Sequence, residues 1–383
     1  MTFIAPCHFG LEAVLKREIQ AKGWEIVSVE DGRVLFRGNP QTAAEANIEL
    51  RCAERILILM AAFSARSFDE LFEETKKIPW EEYLPEDAKF WVTKASSVRS
   101  ALFSPSDIQS IVKKAMVERM KKHYGIERFP EDGPAYPFRV AIRRDRVTIG
   151  LDTSGTALHK RGYRVSPVTA PMSETLAASI IGLTPWFPDR ILVDPFCGSG
   201  TIPIEAAMRA KKIAPGLRRT FLAESWTSIV EKEDWRRARE SAESHIVRSG
   251  LADVSIQGYD IDGKAVRAAR ENAEAAGVGE LIHFQRRPVA EMHHPKKYGF
   301  IITNPPYGER LLEQENLSAL YREIGDAWRR LDSWSMYLIT SYEDAERAIG
   351  KKADKNRKIY NGMLRTYLYQ YMGPKPPRKE TKQ

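Results

Sequence analysis

The stretch ILVDPFCGSGT, residues 191–201, decides the predicted fold of this chain. Its apolar start is typical of a buried strand, which the acid Asp194 ends. Gly198 and Gly200 then allow a tight turn, and the close approach of a ligand to the backbone, where the next helix begins. This order favours the ligand-binding edge of a parallel α/β sheet, although a Gly-x-Gly turn is also common as a purely structural feature. A phosphate-binding loop is disfavoured because the GxxxxGK[ST] pattern is absent.

Downstream of this stretch, strands and helices alternate, as expected for a parallel sheet with crossover helices. We predict strands at residues 191–193, 254–259, 282–285, 300–302, 335–340 and 365–371. We predict helices from residue 202 and at residues 263–276, 317–331 and 342–349. About residues 208–250 are expected to form inserted helices, because Asp194 and Asp260 lie much further apart than the roughly 20 residues of a dinucleotide-binding fold.

Two acidic residues end the first two strands of this predicted sheet. Asp194 is placed to meet the cationic amino group of a methionine moiety. Asp260, in the stretch GYDID at residues 258–262, is placed to accept hydrogen bonds from both hydroxyls of a ribose. A helix cap is the alternative role for Asp260, and it is the role that we favour for Asp262.

The stretch TNPPYG, residues 303–308, follows the fourth predicted strand. Pro305 and Pro306 restrict the backbone and remove two N–H donors, so carbonyl acceptors dominate this loop. The side-chain oxygen of Asn304 is a further acceptor, and the two kinds of acceptor together suit the two hydrogens of an exocyclic amine. Tyr307 offers a flat face on which a base can stack. A structural turn is the alternative, since Asn-Pro often marks turns, but the position after the fourth strand favours catalysis.

The first part of the chain follows a different pattern. The order strand, helix, strand, strand, helix, strand over residues 3–63 resembles a small ferredoxin-like sandwich. A second α/β module follows, in which Pro105 opens a long helix at the position where proline is favoured. Its basic residues are Lys89, Lys94, Arg99, Lys113, Lys114, Arg119, Lys121, Lys122, Arg143, Arg144 and Arg146. Such charge is most often a solvated face, but in a compact α/β module it also suits nucleic-acid binding.

Composition limits the class of protein. The 383 residues suggest two or three domains, and the 43% of hydrophobic residues suits a chain with a sizeable core. The net charge of +8 is consistent with a polyanionic partner and equally with an ordinary basic protein. Three widely spaced cysteines indicate neither a disulfide framework nor a metal site, which favours a reducing cytoplasm. We expect no catalytic metal, no membrane-spanning helix and no signal peptide.

Taken together, these motifs resemble class I methyltransferases that carry an N-terminal THUMP module. The likeness is closest to bacterial 23S rRNA guanine-N2 methyltransferases and extends over nearly the whole chain. The motifs that carry it are DPFCGSGT, GYDID and NPPYGER, residues 194–201, 258–262 and 304–310. Residues 160–164 and 170–177 resemble the family's segments before the first strand, the second of which helps to close the cofactor pocket. Residues 361–362 and 367–371 resemble its C-terminal strand pair.

The resemblance implies a ferredoxin-like segment at residues 1–55, an RNA-binding THUMP domain at 56–155 and a Rossmann-like methyltransferase domain at 160–373. The composition of residues 374–383 predicts a disordered tail. It implies S-adenosylmethionine as cofactor and RNA, 23S rRNA or a ribosomal precursor, as partner. The cofactor-binding residues that we expect are Asp194, Phe196, Cys197, Gly198, Ser199, Gly200, Thr201, Asp260, Ile261 and Asn304. The catalytic residues that we expect are Asn304, Pro305, Pro306 and Tyr307.

One departure from the family pattern concerns adenine recognition. After the third strand the family usually has an acid that accepts a hydrogen bond from adenine N6, whereas this chain has Arg286-Arg287-Pro288-Val289. Either backbone carbonyls accept the hydrogen bond from adenine N6 in place of the acid, or the affinity for the cofactor is weaker. Two other functions stay open: an adenine-N6 methyltransferase of DNA or RNA, which can use the same loop, and a non-catalytic RNA-binding factor.

Overall fold

A computed structural model of the chain describes residues 1–166, 171–307, 314–362 and 364–377. The described residues form two compact units, each built on its own sheet. The first unit comprises Met1–Cys7, Lys16–Leu158 and Arg219–Ser241. The second unit comprises His8–Leu15, His159–Arg218 and Ala242–Gln383. Among the described residues, no helix is long and apolar enough to cross a membrane.

The first unit contains a sheet of seven strands in the order β2-β3-β1-β4-β7-β6-β5. Its strands are β1 (Thr2–Pro6), β2 (Ile26–Glu30), β3 (Arg33–Arg37), β4 (Leu57–Ser64), β5 (Lys89–Val98), β6 (Ala135–Arg143) and β7 (Arg146–Asp152). The helices of this part of the chain are α1 (Glu12–Ala21), α2 (Pro40–Glu49), α3 (Phe68–Lys76) and α4 (Pro105–Tyr124). The residues of α1 up to Leu15 belong to the second unit. All pairs are antiparallel except β5 with β6, which are parallel.

The order β2-β3-β1-β4 confirms the predicted ferredoxin-like arrangement. The structure adds a feature that the sequence pattern did not show. β4 pairs with β1 through Phe3 and Ile4 on one side and with β7 along Leu57–Ser64 on the other. The two N-terminal modules therefore share one continuous sheet, and their boundary at residue 55 stays a prediction.

Local signals set both ends of α4, of which the start at Pro105 is predicted from the sequence. Pro105 occupies the first turn of α4, and the Ser104 side chain accepts a hydrogen bond from the backbone N–H of Asp107. Gly125 ends this helix in the left-handed conformation, with φ of 69°, that glycine adopts without strain. These features lie within one helical turn, so sequence alone identifies them.

The predicted insertion at about residues 208–250 contains less helix than expected. It holds a short 3₁₀ helix, Leu222–Ser225, and α7 (Lys232–Ser244). Most of it packs within the first unit, although its place in the sequence is inside the second. Trp226 donates its indole N–H to the Ala135 carbonyl at 2.9 Å, and its ring stacks on Tyr136 at 4.9 Å. Burial of this aromatic pair explains why this part of the insertion packs within the first unit.

The second unit contains a sheet in the order β10-β9-β8-β11-β12-β14-β13, and its neighbours from β10 to β12 are parallel. Its strands are β8 (Leu192–Asp194), β9 (Ile256–Asp260), β10 (Ile282–Arg286), β11 (Phe300–Thr303), β12 (Ser335–Thr340), β13 (Lys355–Asn361) and β14 (Leu364–Tyr371). Its helices are α5 (Glu174–Leu183), α6 (Thr201–Ala210), α8 (Gly263–Ala276), α9 (Gln314–Arg329) and α10 (Ala345–Ile349). β14 is antiparallel to both of its neighbours, so the predicted mixed, mostly parallel sheet is confirmed.

Both faces of this sheet are covered. Leu192 belongs to the apolar cluster on one face, and Ile191 and Val193 belong to the cluster on the other. Each such side chain contributes about 1.5–3 kcal/mol when fully buried, which explains why β8 reads as a continuous apolar run. Because the strands from β10 to β12 are parallel, their carboxyl ends meet at one edge of the sheet.

Two predicted boundaries differ from the structure or lie outside it. The helix predicted at 342–349 begins only at Ala345, because the backbone N–H of Tyr342 donates to the Thr340 hydroxyl at 3.0 Å and turns the chain first. Residues 378–383 of the predicted tail lie outside the described residues, as do Ala170 and residues 308–310 of two quoted motifs.

Candidate active site

The three sequence motifs meet at the carboxyl ends of β9, β8 and β11, which are adjacent in the sheet. The backbone N–H of Gly198 donates to Asp260 Oδ2 at 3.0 Å. The Thr303 hydroxyl donates to Asp194 Oδ1 at 2.6 Å. The glycine turn therefore contacts Asp260 at the end of β9, and Asp194 at the end of β8 contacts the residue before Asn304, as the parallel sheet predicts.

Asp194 is buried, with 2% of its surface exposed. Burial raises the pKa of its carboxyl to about 7, and this rise is opposed by the hydrogen bonds from Thr303 and from the backbone N–H of Phe196. The neutral form of this carboxyl is therefore more favoured than in an exposed aspartate. A cationic group nearby favours the charged form, which makes Asp194 a suitable partner for an ammonium group.

The two glycines of the turn both have left-handed backbones, with φ of 52° at Gly198 and 83° at Gly200. They differ in the space around them. A Cβ on Gly200 lies 3.0 Å from Ala269 Cβ and from Phe284 Cζ, so this glycine permits close packing of the turn. A Cβ on Gly198 meets no described atom within 4 Å, so its open side is the side that a ligand can approach.

The other predicted residues of the turn lie around this edge. The Phe196 side chain is half-buried against one apolar cluster, whereas Cys197 belongs to the other. Burial raises the pKa of the Cys197 thiol. Ser199 and Thr201 are buried, with 4% and 5% of their surfaces exposed. Their hydroxyls both take part in the Arg164 contacts described below, and the Cys197 thiol donates to the Gly198 carbonyl at 3.8 Å.

Asp260 helps to hold the turn in place. Its Oδ2 accepts from Gly198 and its Oδ1 accepts from the backbone N–H of Asp262 at 2.9 Å. Burial raises the pKa of this carboxyl, while the hydrogen bonds oppose the rise. A carboxylate offers about four acceptor positions, so these backbone hydrogen bonds leave room for a ligand hydroxyl. Asp262 caps α8 through the backbone N–H of Lys264, as predicted, and Ile261 leaves 67% of its apolar surface exposed beside these acids.

The loop after β11 contains an unpaired acceptor. The Asn304 side-chain oxygen is fully buried and has no hydrogen-bond partner among the described residues. A buried polar atom left in this state costs about 1–3 kcal/mol, and a donor on a bound molecule would offset that cost. Pro305 is buried, Pro306 and Tyr307 are half-buried, and the Pro306 carbonyl accepts from the Tyr321 hydroxyl at 3.3 Å.

Sequence reasoning missed Arg164 as a residue of this site. Its guanidinium donates to Glu174 Oε1 at 2.9 Å, and to the hydroxyls of Ser199 and Thr201 at 3.2 and 3.3 Å. Asn272 adds a second brace, because its amide donates to the Ser199 carbonyl at 3.1 Å. Residues 160–164 resemble a family segment, but no local pattern in the sequence indicates these partners.

The segment that replaces the usual acid contacts the Asp260 loop. The backbone N–H of Arg287 donates to the Asp260 carbonyl at 2.9 Å, and its guanidinium lies 4.9 Å from the Tyr259 ring centroid. Arg286 Nε donates to the Ile261 carbonyl at 2.9 Å. Pro288 precedes a short 3₁₀ helix, Val289–Glu291. These arginines thus brace the loop that carries Asp260.

No group of three or more His, Cys, Asp or Glu side chains within the described part of the chain is placed to hold a metal ion. The arrangement offers instead two carboxyls, an open glycine turn and a buried amide oxygen without a partner. Such a set suits a ligand that carries an ammonium group and a ribose next to a substrate amine.

Family comparisons agree with this arrangement. Residues 161–370 match the model of the RMKL-like methyltransferase domain. Residues 2–57 match the RlmL ferredoxin-like domain, and residues 65–152 match the THUMP domain. These matches confirm the kinds of domain that the motifs predicted and their order along the chain.

Individual relatives cover the whole chain. YpsC of Bacillus subtilis (strain 168), a candidate RNA methyltransferase, is 45% identical over 99% of this chain and 98% of its own length. The ribosomal RNA large subunit methyltransferase K/L of Syntrophotalea carbinolica is 34% identical over 96% of this chain but only 53% of its own length. The chain thus spans about half the length of the K/L relatives that it matches.

The crystal structure of a similar protein contains a bound ligand. That of SMU.472, a candidate methyltransferase complexed with SAH, superposes with a TM-score of 0.91 at 40% identity and covers 98% of this chain and 99% of that one. The bound SAH of that protein agrees with the cofactor predicted here. The chain belongs to the RMKL-like methyltransferases, with an RlmL ferredoxin-like domain and a THUMP domain ahead of the methyltransferase domain.

Proposed function

We propose that this protein is an S-adenosylmethionine-dependent RNA methyltransferase that methylates the exocyclic N2 amine of a guanosine in 23S rRNA. The observation that carries the proposal is the buried Asn304 oxygen in the loop next to Asp194, for which the described part of the chain supplies no hydrogen-bond donor. The amine of a base is a donor that can satisfy this atom.

Each residue of the site has a separate role in binding the cofactor. When bound, S-adenosylmethionine supplies an electrophilic methyl group. Asp194 holds an ammonium group, Asp260 accepts from ribose hydroxyls, and the open side of Gly198 lets the ligand approach the backbone. These assignments suit the chemistry of the side chains, and the raised pKa of Asp194 in particular fits a site that gains a cation.

Asn304 acts on the substrate amine. The lone pair of an aryl amine is delocalised into the ring and is a poor nucleophile. By accepting hydrogen bonds from the amine, the Asn304 oxygen and the carbonyls of the loop localise that lone pair and stabilise the positive charge that develops on nitrogen. Tyr307 stacks on the base and fixes its plane. A strong base is unnecessary, because the amine becomes acidic as it is methylated, and positioning supplies most of the remaining effect.

The first unit supports RNA as the substrate. It matches the THUMP model, and seven of its predicted basic residues are exposed: Lys89, Lys94, Arg99, Lys114, Lys122, Arg144 and Arg146. Three others are neutralised in ion pairs: Lys113 with Glu131, Arg119 with Glu81 and Lys121 with Glu127. The exposed group suits a phosphate backbone. We place the reaction in the cytoplasm.

The choice of guanine N2 in 23S rRNA rests on family likeness and on the names of the K/L relatives, which act on large-subunit ribosomal RNA. The loop itself accepts from an exocyclic amine, which adenine also has. Adenine N6 is therefore the second candidate.

Nucleoside mass spectrometry of rRNA from cells lacking the gene, before and after incubation with the pure protein and S-adenosylmethionine, tests the proposal. We expect one new N2-methylguanosine with wild type and none with Asn304→Ala, which should still bind RNA. N6-methyladenosine instead would assign the second candidate. Methyl transfer by Asn304→Ala would refute the role of Asn304, and no S-adenosylhomocysteine binding by wild type would remove the enzyme class.

A further inference from the structure

A chain of hydrogen bonds lies directly behind the loop of residues 304–307. The Tyr321 hydroxyl, on α9, donates to the Pro306 carbonyl at 3.3 Å. The same hydroxyl lies 2.5 Å from the Thr340 hydroxyl at the end of β12. The Thr340 hydroxyl in turn accepts from the backbone N–H of Tyr342 at 3.0 Å. Tyr321 and Thr340 are both fully buried, with 0% of their surfaces exposed.

The proton positions in this chain follow from counting donors. A tyrosine hydroxyl has one proton, and Tyr321 uses it on Pro306. The short contact between the two hydroxyls therefore requires Thr340 to donate to Tyr321. Thr340 is then satisfied as acceptor by the Tyr342 amide. All the bonds run one way, from the Tyr342 amide through Thr340 and Tyr321 to the Pro306 carbonyl.

The loop needs such a donor from outside. Pro305 and Pro306 have no backbone N–H, so the loop cannot be anchored by its own donors at these two positions. Its carbonyls are the remaining anchor points. Burial also raises the pKa of Tyr321 well above its usual range, so the hydroxyl stays protonated and can donate at any physiological pH.

We propose that Tyr321 is a positioning residue that fixes the Pro306 carbonyl and thereby holds the Asn304 oxygen in place for the substrate amine. Tyr321 donates to the Pro306 carbonyl, whereas the buried Asn304 oxygen has no partner within residues 1–166, 171–307, 314–362 and 364–377. Tyr321 itself does not contact the reacting atoms. This inference rests on the proposed methyl transfer, because positioning has a kinetic effect only if Asn304 acts on an amine.

Tyr321→Phe removes the donor and keeps the ring that packs against Tyr342 at 4.9 Å. We expect kcat to fall by about tenfold to a hundredfold, because a small misplacement of a catalytic group costs that much. We expect the KM for RNA, the affinity for S-adenosylhomocysteine and the unfolding midpoint to change little. Thr340→Val breaks the chain one bond further from the loop, so its loss of kcat should be smaller.

Tyr371→Phe is the matched control. Tyr371 lies in the same apolar cluster, is fully buried, and its hydroxyl has no hydrogen-bond partner among the described residues. Tyr371→Phe removes the same group as Tyr321→Phe, a buried tyrosine hydroxyl of this cluster, but leaves the hydrogen bond to the loop intact. It should leave kcat unchanged.

Crystal structures of wild type and Tyr321→Phe decide the inference independently of turnover. A shifted Pro306 carbonyl is expected in the variant, and an unmoved loop overturns the inference. This structural test applies even if the wild-type protein methylates nothing, because a lack of methylation would refute only the proposed function. Wild-type kcat in Tyr321→Phe, or an equal loss in Tyr371→Phe, also overturns it. If Tyr321→Phe does not fold, Thr340→Val carries the same two measurements, with loss of slow hydrogen exchange at the Tyr342 amide as its signature.

Discussion

The Thr303 hydroxyl donates a 2.6 Å hydrogen bond to the Asp194 carboxyl, which joins the end of β11 to the end of β8. The two strands are neighbours in the sheet although their residues are far apart in sequence. Asn304 follows Thr303 directly, so the acid of the proposed cofactor site and the amide of the proposed amine site are connected through one buried contact.

Ligand affinity should depend on pH through Asp194. Its pKa of about 7 means that the carboxyl becomes charged as the pH rises through neutrality, and only the charged form attracts an ammonium group. Affinity for S-adenosylhomocysteine, measured by calorimetry, should therefore rise with pH through about 7 and level off above it. Asp194→Asn should bind more weakly and lack this rise. An equally steep rise in Asp194→Asn would assign the dependence to another group.

Folding stability should show the opposite pH dependence. The folded pKa of Asp194 lies above the ordinary value of 3.8, so between these pH values the folded state keeps a proton that the unfolded state has lost. The contribution of this carboxyl is fully present below about pH 4 and is lost as pH rises to about 7. Urea unfolding should show wild type losing stability relative to Asp194→Asn across that interval. A constant difference would contradict the raised pKa.

Glu174 should matter for both stability and ligand binding. Its carboxylate, of which 6% of the side chain is exposed, is the partner of the Arg164 guanidinium that also contacts Ser199 and Thr201. We expect Glu174→Ala to lower the free energy of unfolding by about 1–3 kcal/mol and to weaken S-adenosylhomocysteine binding. Glu240→Gln, which removes an exposed partner of Arg236, is the control and should change neither quantity.

The two glycines of the turn should respond differently to alanine. Gly200→Ala combines a left-handed backbone with a crowded Cβ, so we expect unfolding free energy to fall by about 2–4 kcal/mol. Gly198→Ala should lower the free energy of unfolding by only about 1–2 kcal/mol, because its strain comes from the left-handed backbone alone. Its methyl group projects into the open side, so its main effect should be weaker binding of S-adenosylhomocysteine in calorimetry. Wild-type affinity in Gly198→Ala would place the ligand elsewhere.

RNA binding should depend on salt through the first unit. Arg144 is exposed in the turn between β6 and β7, where its backbone N–H donates to the Val98 carbonyl at 3.1 Å. If it contacts a phosphate, Arg144→Ala should reduce the slope of log affinity against log salt by about 0.7, measured by fluorescence anisotropy on a single-stranded RNA. Arg236→Ala is the control, since Glu233 and Glu240 already pair with this arginine. Equal slopes in wild type and Arg144→Ala would exclude Arg144 from the interface.

Features confined to a few neighbouring residues were predictable. The Pro105 start of α4, the Asp262 cap of α8 and the apolar run of β8 each depend on contacts within one turn or one strand. The insertion was less predictable. Its helical propensity is local, but Trp226 is buried against Tyr136, about ninety residues earlier, and no sequence period encodes that partner.

By itself, the sequence determined which chemical groups stand at the ends of the strands: the acids Asp194 and Asp260, the glycine turn and the amide and prolines after β11. Only the tertiary structure decided how these groups are satisfied. The contacts of Thr303 with Asp194 and of Tyr321 with Pro306 join separate elements, and α9 reads in sequence simply as an amphipathic helix. Hydrogen bonds are short and directional, so whether the Asn304 oxygen stays unpaired depends on the packing of the elements around it.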